Sequence, residues 1–300
     1  MTDRPVRIGV VGVSGGWSSE ALADAVAAKT GFRLLIDMQC CTLDLSSGRL
    51  MFEDIDLCQL DALLVKKVGH RYSPDMLDRL ELLRFAFGRG VPVFSNPSAI
   101  ARLLDRLSCT VTLAENRIPI PPTTITESVA CAAAAVTSYG EAVLKPLYST
   151  KARGMVVVKS CAPLELERQL TTFQAAGNPI LYVQKRLEIG DRDFGVIFLG
   201  GEHVGTYARV KGQASWSTTT RDGGHYEPHA GSRELVTLAH RAQQPFGLDL
   251  TSVDIVETID GPRVLEVSAF GGFRGSRDAL GIDLAARYAQ YAIERIRRRP

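Results

Sequence analysis

Two carboxylates interrupt consecutive apolar runs near the C-terminus: Asp254 in LTSVDIVETI and Glu266 in VLEVSAFGGF. The intervening TIDGPR has turn composition, so the two runs read as the arms of a β-hairpin. A three-residue loop centred on Asp260 sets Asp254 directly across from Glu266. A register one residue different still leaves them neighbours. Ser268 shares the face of Glu266, because strand side chains alternate with period two. Like charges opposed on a sheet repel. A shared cation removes that cost, and magnesium commonly takes one or two carboxylates together with substrate phosphates. The pair therefore reads either as a magnesium site completed by a nucleotide or as an exposed sheet face with both acids solvated.

A metal–nucleotide site also needs cations for the phosphates. EAVLKPLYSTKARGM offers Lys145 in mid-strand, then a loop with Lys151, Arg153 and Gly154. A strand lysine beside a glycine-bearing loop can reach phosphate oxygens while the loop covers them; the alternative is a surface lysine on a half-exposed strand. Arg106 in LLDRLSC and Arg209 in TYARV are further cations. In ILYVQKRLEIGDRDFG, Gln184, Lys185 and Leu187 lie on an extended stretch whose backbone can read an adenine edge. Asp193 can hold a ribose hydroxyl or a cation. The Walker pattern G-x-x-x-x-G-K-[ST] is absent.

These residues need a frame. VRIGVVGV reads as a buried strand, with Ser18 or Ser19 capping a helix over EALADAVAAKTG that stops at Gly31. FRLLIDM and LDALLVKKV are further strands, YSPDMLDRLELLRFAFGRG a long helix and PVFSNP a short strand. Strands alternating with helices predict a parallel α/β layer. Gly9, Gly12 and Gly15 have the spacing G-x-x-G-x-x-G, which is wrong for a dinucleotide fingerprint even with Asp37 closing the second strand. SAIARLLDRLSCTVTLAENRI reads as one helix, ended by PIPPTTI. Helix, two strands, helix and strand follow up to residue 184, and strands dominate thereafter. The predicted organisation is an α/β domain over 1–100, a central subdomain over 101–184, and a C-terminal subdomain over 185–300 that carries the carboxylates.

Composition narrows the class. The chain of 300 residues is 45% hydrophobic and 23% charged, with a net charge of +2. Near-neutral charge gives no nucleic-acid footprint. The basic run 295–299 reads as the solvated end of a helix. The six cysteines show no C-x-x-C and no zinc spacing, as in a reduced cytoplasmic chain with structural thiols. No apolar run approaches membrane-spanning length.

In this order the pieces resemble the ATP-grasp superfamily, specifically its RimK-like carboxylate–amine ligases. The matched landmarks are LLDRLSC before IPIPPT, AVLKPLYSTKARGM, ILYVQK, the Asp of GDRDFG, GLDLTSVDIV and VLEVSAFGG, running from about Leu103 to Ile296. A narrower resemblance is to the ATP-grasp component of the GAK gene system. The resemblance implies a preATP-grasp layer followed by a two-subdomain ATP-grasp fold, with ATP and Mg2+ (or Mn2+) between the subdomains. It places Lys145, Lys151 and Arg106 on phosphate, Gln184, Lys185 and Leu187 along adenine, Asp193 at an acidic position after them and Arg209 near the transferred phosphoryl group. Asp254, Glu266 and Ser268 fall at the metal positions. Three positions depart from the family pattern: arginine at 106 where lysine is usual, a charged STKARG lid where glycines are usual, and serine at 268 where asparagine is usual. Serine reaches less far than asparagine, which leaves one or two metals open.

The implied reaction forms an amide through an acyl phosphate, with glutamate a habitual amine. Arg221 in WSTTTRDGG and Arg274 in GGFRGS can fork a substrate carboxylate, and Trp17 can line the acceptor pocket. The alternative for each is a solvated loop residue. The expected partners are a small-molecule or peptide carboxylate and an amine, with no nucleic acid and no membrane. Apolar helices such as RLELLRFAF are compatible with a homo-oligomer. Alternative activities are a nucleotide-binding module or an ATP-grasp phosphoryl transferase without ligase activity.

Overall fold

A computed structural model describes residues 5–150, 152–212, 218 and 223–298. The first apolar run is β1 (Ile8–Val11), buried along its whole length. The chain continues through α1 (Trp17–Thr30), β2 (Leu35–Ile36), β3 (Cys41–Asp44), β4 (Arg49–Phe52), β5 (Ile55–Asp56), β6 (Ala62–Val65), α2 (Asp75–Gly88) and β7 (Val93–Phe94). Strands β2-β1-β6-β7 form a parallel sheet in that order. This is the predicted α/β layer. The antiparallel trio β3-β4-β5 was not expected, because strands of two to four residues are too short to show a period.

α1 ends at Gly31 as expected, in the left-handed region with φ 73°. Its start differs from the expectation. Gly16, not Ser18 or Ser19, is the N-cap, since the Gly16 N–H already closes a turn onto the Val13 carbonyl. The Ser19 hydroxyl is buried and accepts from the Val13 N–H at 3.1 Å. The single helix read over 98–118 is also two, α3 (Pro97–Leu104) and α4 (Arg106–Glu115). Asp105 is extended between them and accepts from the Leu107 N–H, capping α4.

A second, antiparallel sheet has the order β10-β9-β11-β8. It comprises β8 (Thr123–Thr126), β9 (Glu141–Leu144), β10 (Val156–Lys159) and β11 (Leu181–Lys185), covered by α5 (Val129–Tyr139) and α6 (Pro163–Ala175). Its core is its own, built from residues such as Val136, Leu144, Leu170 and Val183. A third sheet has the antiparallel order β14-β13-β12-β15-β16. Its strands are β12 (Arg192–Leu199), β13 (Glu202–Val210), β14 (His225–His229), β15 (Leu250–Thr258) and β16 (Gly261–Ser268). Helices α7 (Arg233–Gln243), α8 (Phe273–Leu280) and α9 (Leu284–Arg297) complete the chain.

The first and third sheets share cores. One joins Val11 and Met76 to Val196 and Val253. Another joins Val10, Leu22 and Val26 to Leu284, Tyr288 and Ala292 of α9. The Tyr288 hydroxyl donates to the Phe94 carbonyl at 2.6 Å, tying α9 to the parallel sheet. The site therefore lies where the separately packed second sheet faces the joined first and third. Among the described residues no helix is long and apolar enough to cross a membrane. Cys109 is buried, but Cys40, Cys131 and Cys161 are exposed and so lack the packing role expected of structural thiols.

Candidate active site

β15 and β16 bring Asp254 opposite Glu266, as the hairpin reading required. The route differs from the one expected. Thr258 pairs with Gly261, so the turn holds two residues, 259 and 260, rather than three. That register carried along the ladder would put Leu265 opposite Asp254. A bulge between Val264 and Glu266 adds one residue and restores the carboxylate pairing. Farther along, Ser268 pairs with Ser252. The Ser268 hydroxyl accepts from the Phe270 N–H at 3.3 Å.

Both carboxylates are held by arginines. Arg209 on β13 lies across from Asp193 on β12, meets both its carboxylate oxygens at 3.0 and 2.5 Å, and reaches Asp254 at 2.9 Å. Asp193, 4% exposed, thus has its oxygens committed to Arg209 rather than open. Arg106, at the start of α4, reaches Glu266 at 3.4 Å and donates to the Pro146 and Ser149 carbonyls. Its buried guanidinium joins the third sheet to the loop after β9. Burial pushes the Asp254 carboxyl up to about 6, with Asp193 and Glu266 adding to the rise and Arg209 opposing it. Three carboxylates and two arginines therefore meet at one place.

Lys145 follows β9 and is 8% exposed, which removes the surface-lysine alternative. Its ammonium donates to Gln184 Oε1, and the Gln184 amide in turn donates to Thr123 at 2.9 Å. Burial pushes Lys145 down to about 7, and Arg106 adds to the fall. The Lys185 N–H is bound to the Pro122 carbonyl, and Arg186 pairs with Glu141 at 2.7 Å.

These groups line one cavity of about 870 Å³ that also takes in Arg153, Leu187, Arg274 and Trp17. Arg106, Lys145, Gln184, Lys185, Leu187, Asp193, Arg209, Asp254, Glu266, Ser268 and Arg274 are brought together there. Lys151 and Arg221 lie outside the described residues, as does most of the WSTTTRDGG lid. Gly271 packs so tightly beside Ser252 and Ser268 that a Cβ there would sit 1.9 Å from Ser252 Oγ.

Sequence reasoning missed Lys66, Tyr72 and Tyr207. Lys66 directly follows β6, is 2% exposed, donates to the Phe270 carbonyl and lies 4.4 Å from the centre of the Phe273 ring. Burial pushes its amine down to about 7, with Lys67 adding to the fall. The signal was present: two lysines end the run LDALLVKK, at the carboxyl edge of a parallel strand, where open α/β sheets place ligands. Tyr207 packs where side chains at Gly195 and Gly275 would stand, with Cβ positions 2.3 and 2.4 Å from its ring. It shapes the cavity wall between Arg209 and α8.

Among the described residues no three of His, Cys, Asp and Glu gather as a metal cluster. Two carboxylates and nearby hydroxyls are a hard oxygen set that suits a divalent cation only when the substrate supplies further oxygens. Asp254 and Glu266 face each other across the hairpin, and a cation held between them would relieve that opposition.

Comparison with known proteins identifies the family. The RimK-like ATP-grasp domain matches residues 104–292. A tetrahydromethanopterin:alpha-L-glutamate ligase of Methanosarcina acetivorans is 27% identical over 92% of this chain and 94% of its own length. A probable alpha-L-glutamate ligase of Citrobacter koseri is 25% identical over 93% of this chain and 92% of its own. Among solved structures, a RimK domain ATP-grasp protein of Sphaerobacter thermophilus superposes with TM-score 0.73 at 21% identity, covering 95% of this chain and 99% of that one. The ATP-grasp ligase PsnB, solved with a precursor variant, Mg and ADP, gives 0.74 at 18% identity, covering 97% and 99%.

Proposed function

The chain belongs to the RimK-like ATP-grasp family of carboxylate–amine ligases, and from that premise we propose that it uses ATP and Mg2+ to join L-glutamate, as the amine, to a carboxylic acid. The observation that supports the site is the Asp254–Glu266 pair, set across a hairpin inside a cavity that also holds buried Lys145 and Arg106.

Asp254 and Glu266 would hold the cation, with Ser268 beside them, and the cation would supply charge neutralisation for the transferring phosphoryl group. Lys145 and Arg106 hold the phosphates. Arginine replaces the family's lysine at 106 and offers a planar fork in place of a point charge. Arg209 is oriented by Asp193 through Nε and Nη2, and its Nη2 also meets Asp254, which sets its charge beside the carboxylate pair. The acid's oxygen attacks the γ-phosphorus and ADP leaves. The neutral amine nitrogen then attacks the acyl carbon, the C–O bond to phosphate breaks, and the proton lost from nitrogen passes to the departing phosphate. Positioning and electrostatics supply the catalysis, so no side-chain nucleophile is needed. Thr150, Ala152 and Arg153 line the cavity, where they would help to keep water from the acyl phosphate.

Calorimetric titration of ATP with and without Mg2+, on wild type and Asp254→Asn, tests the nucleotide site. Magnesium-dependent binding that the substitution weakens is expected. A coupled assay then follows ADP release with L-glutamate and a library of acids, with products read by mass spectrometry. A stable phosphorylated product without an amide would overturn the ligase assignment in favour of a phosphoryl transferase.

A further inference from the structure

The carboxylates lining the cavity are Glu141, Glu188, Asp193, Asp254 and Glu266. All of them come from the second and third sheets or the segment linking the two. The first sheet and the turn at residues 270–275 bring Lys66, Lys67 and Arg274 to the same cavity, and among the described residues no carboxylate. Lys66 is held by a main-chain carbonyl and an aromatic face, and no described carboxylate pairs with it. Arg274 is exposed, and its described contact is the Trp17 ring, 5.9 Å from the guanidinium carbon. Arg277 covers the same ring at 4.1 Å but is already paired with Asp278. A buried ammonium with no counter-charge costs free energy that an arriving anion would offset.

The fold places this cluster at a ligand edge. In the order β2-β1-β6-β7 the connections reverse direction between β1 and β6. Open parallel sheets bind ligands outside the strand carboxyl ends at such a switch point. Trp17 opens the helix after β1, and Lys66 leaves the end of β6. α1 and α8 both begin there, at Trp17 and Phe273, with no side-chain cap on their first N–H groups. Two helix N-termini add to the positive potential.

The ligase reading, on which this step rests, requires the enzyme to hold an amine whose own carboxylates are negative. Arg106, Lys145 and Arg209 are engaged with the phosphate and metal side. We infer that Lys66 and Arg274 bind the carboxylates of the incoming amino diacid against Trp17, and so select glutamate over its uncharged analogues. Neither residue touches the reacting atoms; both fix the substrate.

The chain has two tryptophans, so Trp216→Phe leaves Trp17 as the sole indole reporter. L-Glutamate, L-glutamine, glutarate and inorganic phosphate are titrated against its fluorescence in the presence of Mg2+ and a non-hydrolysable ATP analogue. Saturation by L-glutamate is expected, at least about tenfold tighter than by L-glutamine, because one charge-assisted bond is lost in the amide. Lys66→Met and Arg274→Gln should each weaken L-glutamate about tenfold or more. Arg274 is exposed, so Arg274→Gln keeps the test alive should Lys66→Met fail to fold. Equal responses to L-glutamate and L-glutamine, or unaltered L-glutamate affinity in Arg274→Gln, would overturn the assignment. Glutarate or phosphate binding as tightly as L-glutamate would also overturn it, by giving the cluster to the acid substrate or to phosphate. Calorimetry of Mg2+–ATP on the same samples separates the two levels. Wild type that binds ATP but shows no glutamate response sinks only this inference, whereas wild type that binds no ATP sinks the ligase reading beneath it.

Discussion

Replacing Lys145 by methionine separates what the site costs the fold from what it gives the nucleotide. Lys145 is nearly fully buried, and burial together with Arg106 brings its ammonium down to about 7. Its folded value lies below the unfolded one, so between about pH 7 and 10.5 the unfolded chain binds more protons and stability rises with pH. Linkage puts the cost of keeping the lysine buried at about 4 kcal/mol at pH 7 and about 2 kcal/mol at pH 9. Methionine has similar volume and no charge, and removes that cost. It leaves Gln184 Oε1 without its donor, a loss of about 2 kcal/mol. The net expectation is a ligand-free Lys145→Met protein about 2 kcal/mol more stable than wild type at pH 7, or roughly 4 °C in melting temperature, with the difference closing by pH 9. ATP affinity should move the other way, falling about 30-fold for a lost charge-assisted bond worth about 2 kcal/mol. Differential scanning calorimetry at the two pH values and ATP titration measure both. A variant that melts below wild type at pH 7, or a gap that widens towards pH 9, would refute the reasoning by showing that the Gln184 contact outweighs burial of the charge.

Glu266→Gln should abolish magnesium-dependent turnover while circular dichroism stays native; full activity would remove the metal assignment. Ser268→Asn should be tolerated or should tighten the metal, read as the Mg2+ dependence of turnover, and a large loss would mean that Ser268 serves something other than the cation. Gly271→Ala drives a methyl into Ser252 Oγ and should lower both stability and turnover. Ser252→Ala in the same chain removes the contacting oxygen and should restore much of the melting temperature; absence of that rescue would mean that the collision does not set the loop. Asp105→Ala should cost about 1 kcal/mol through loss of the α4 cap, measurable by denaturant titration.

Much of the frame was legible because it rests on local pattern. The apolar run of β1, the stop of α1 at Gly31 and the alternation of β15 and β16 follow from periodicity and turn chemistry. Asp254, Glu266, Lys145 and Arg209 were visible as charges inside apolar runs, where a buried site must announce itself. The short trio β3-β4-β5 and the break at Asp105 were not visible. Two-residue strands carry no period, and an aspartate inside a helical pattern reads as a solvated face until its backbone is seen to be extended.

The carboxylate pairing shows where the boundary falls. Sequence spacing and strand alternation were enough to propose that Asp254 and Glu266 meet, since hairpin pairing is local. Whether they do depended on a two-residue turn and a compensating bulge at Leu265, features set by sheet twist and neighbouring strands that leave no mark in composition. Burial of Lys145, the sharing of Arg209 between Asp193 and Asp254, and the meeting of Lys66 with Phe270 across 204 positions of chain belong to tertiary structure alone. The sequence determined which charged groups are available and in what local order. Packing of all three sheets around one cavity decided which of them are desolvated together, and desolvation is what turns a charge into a site.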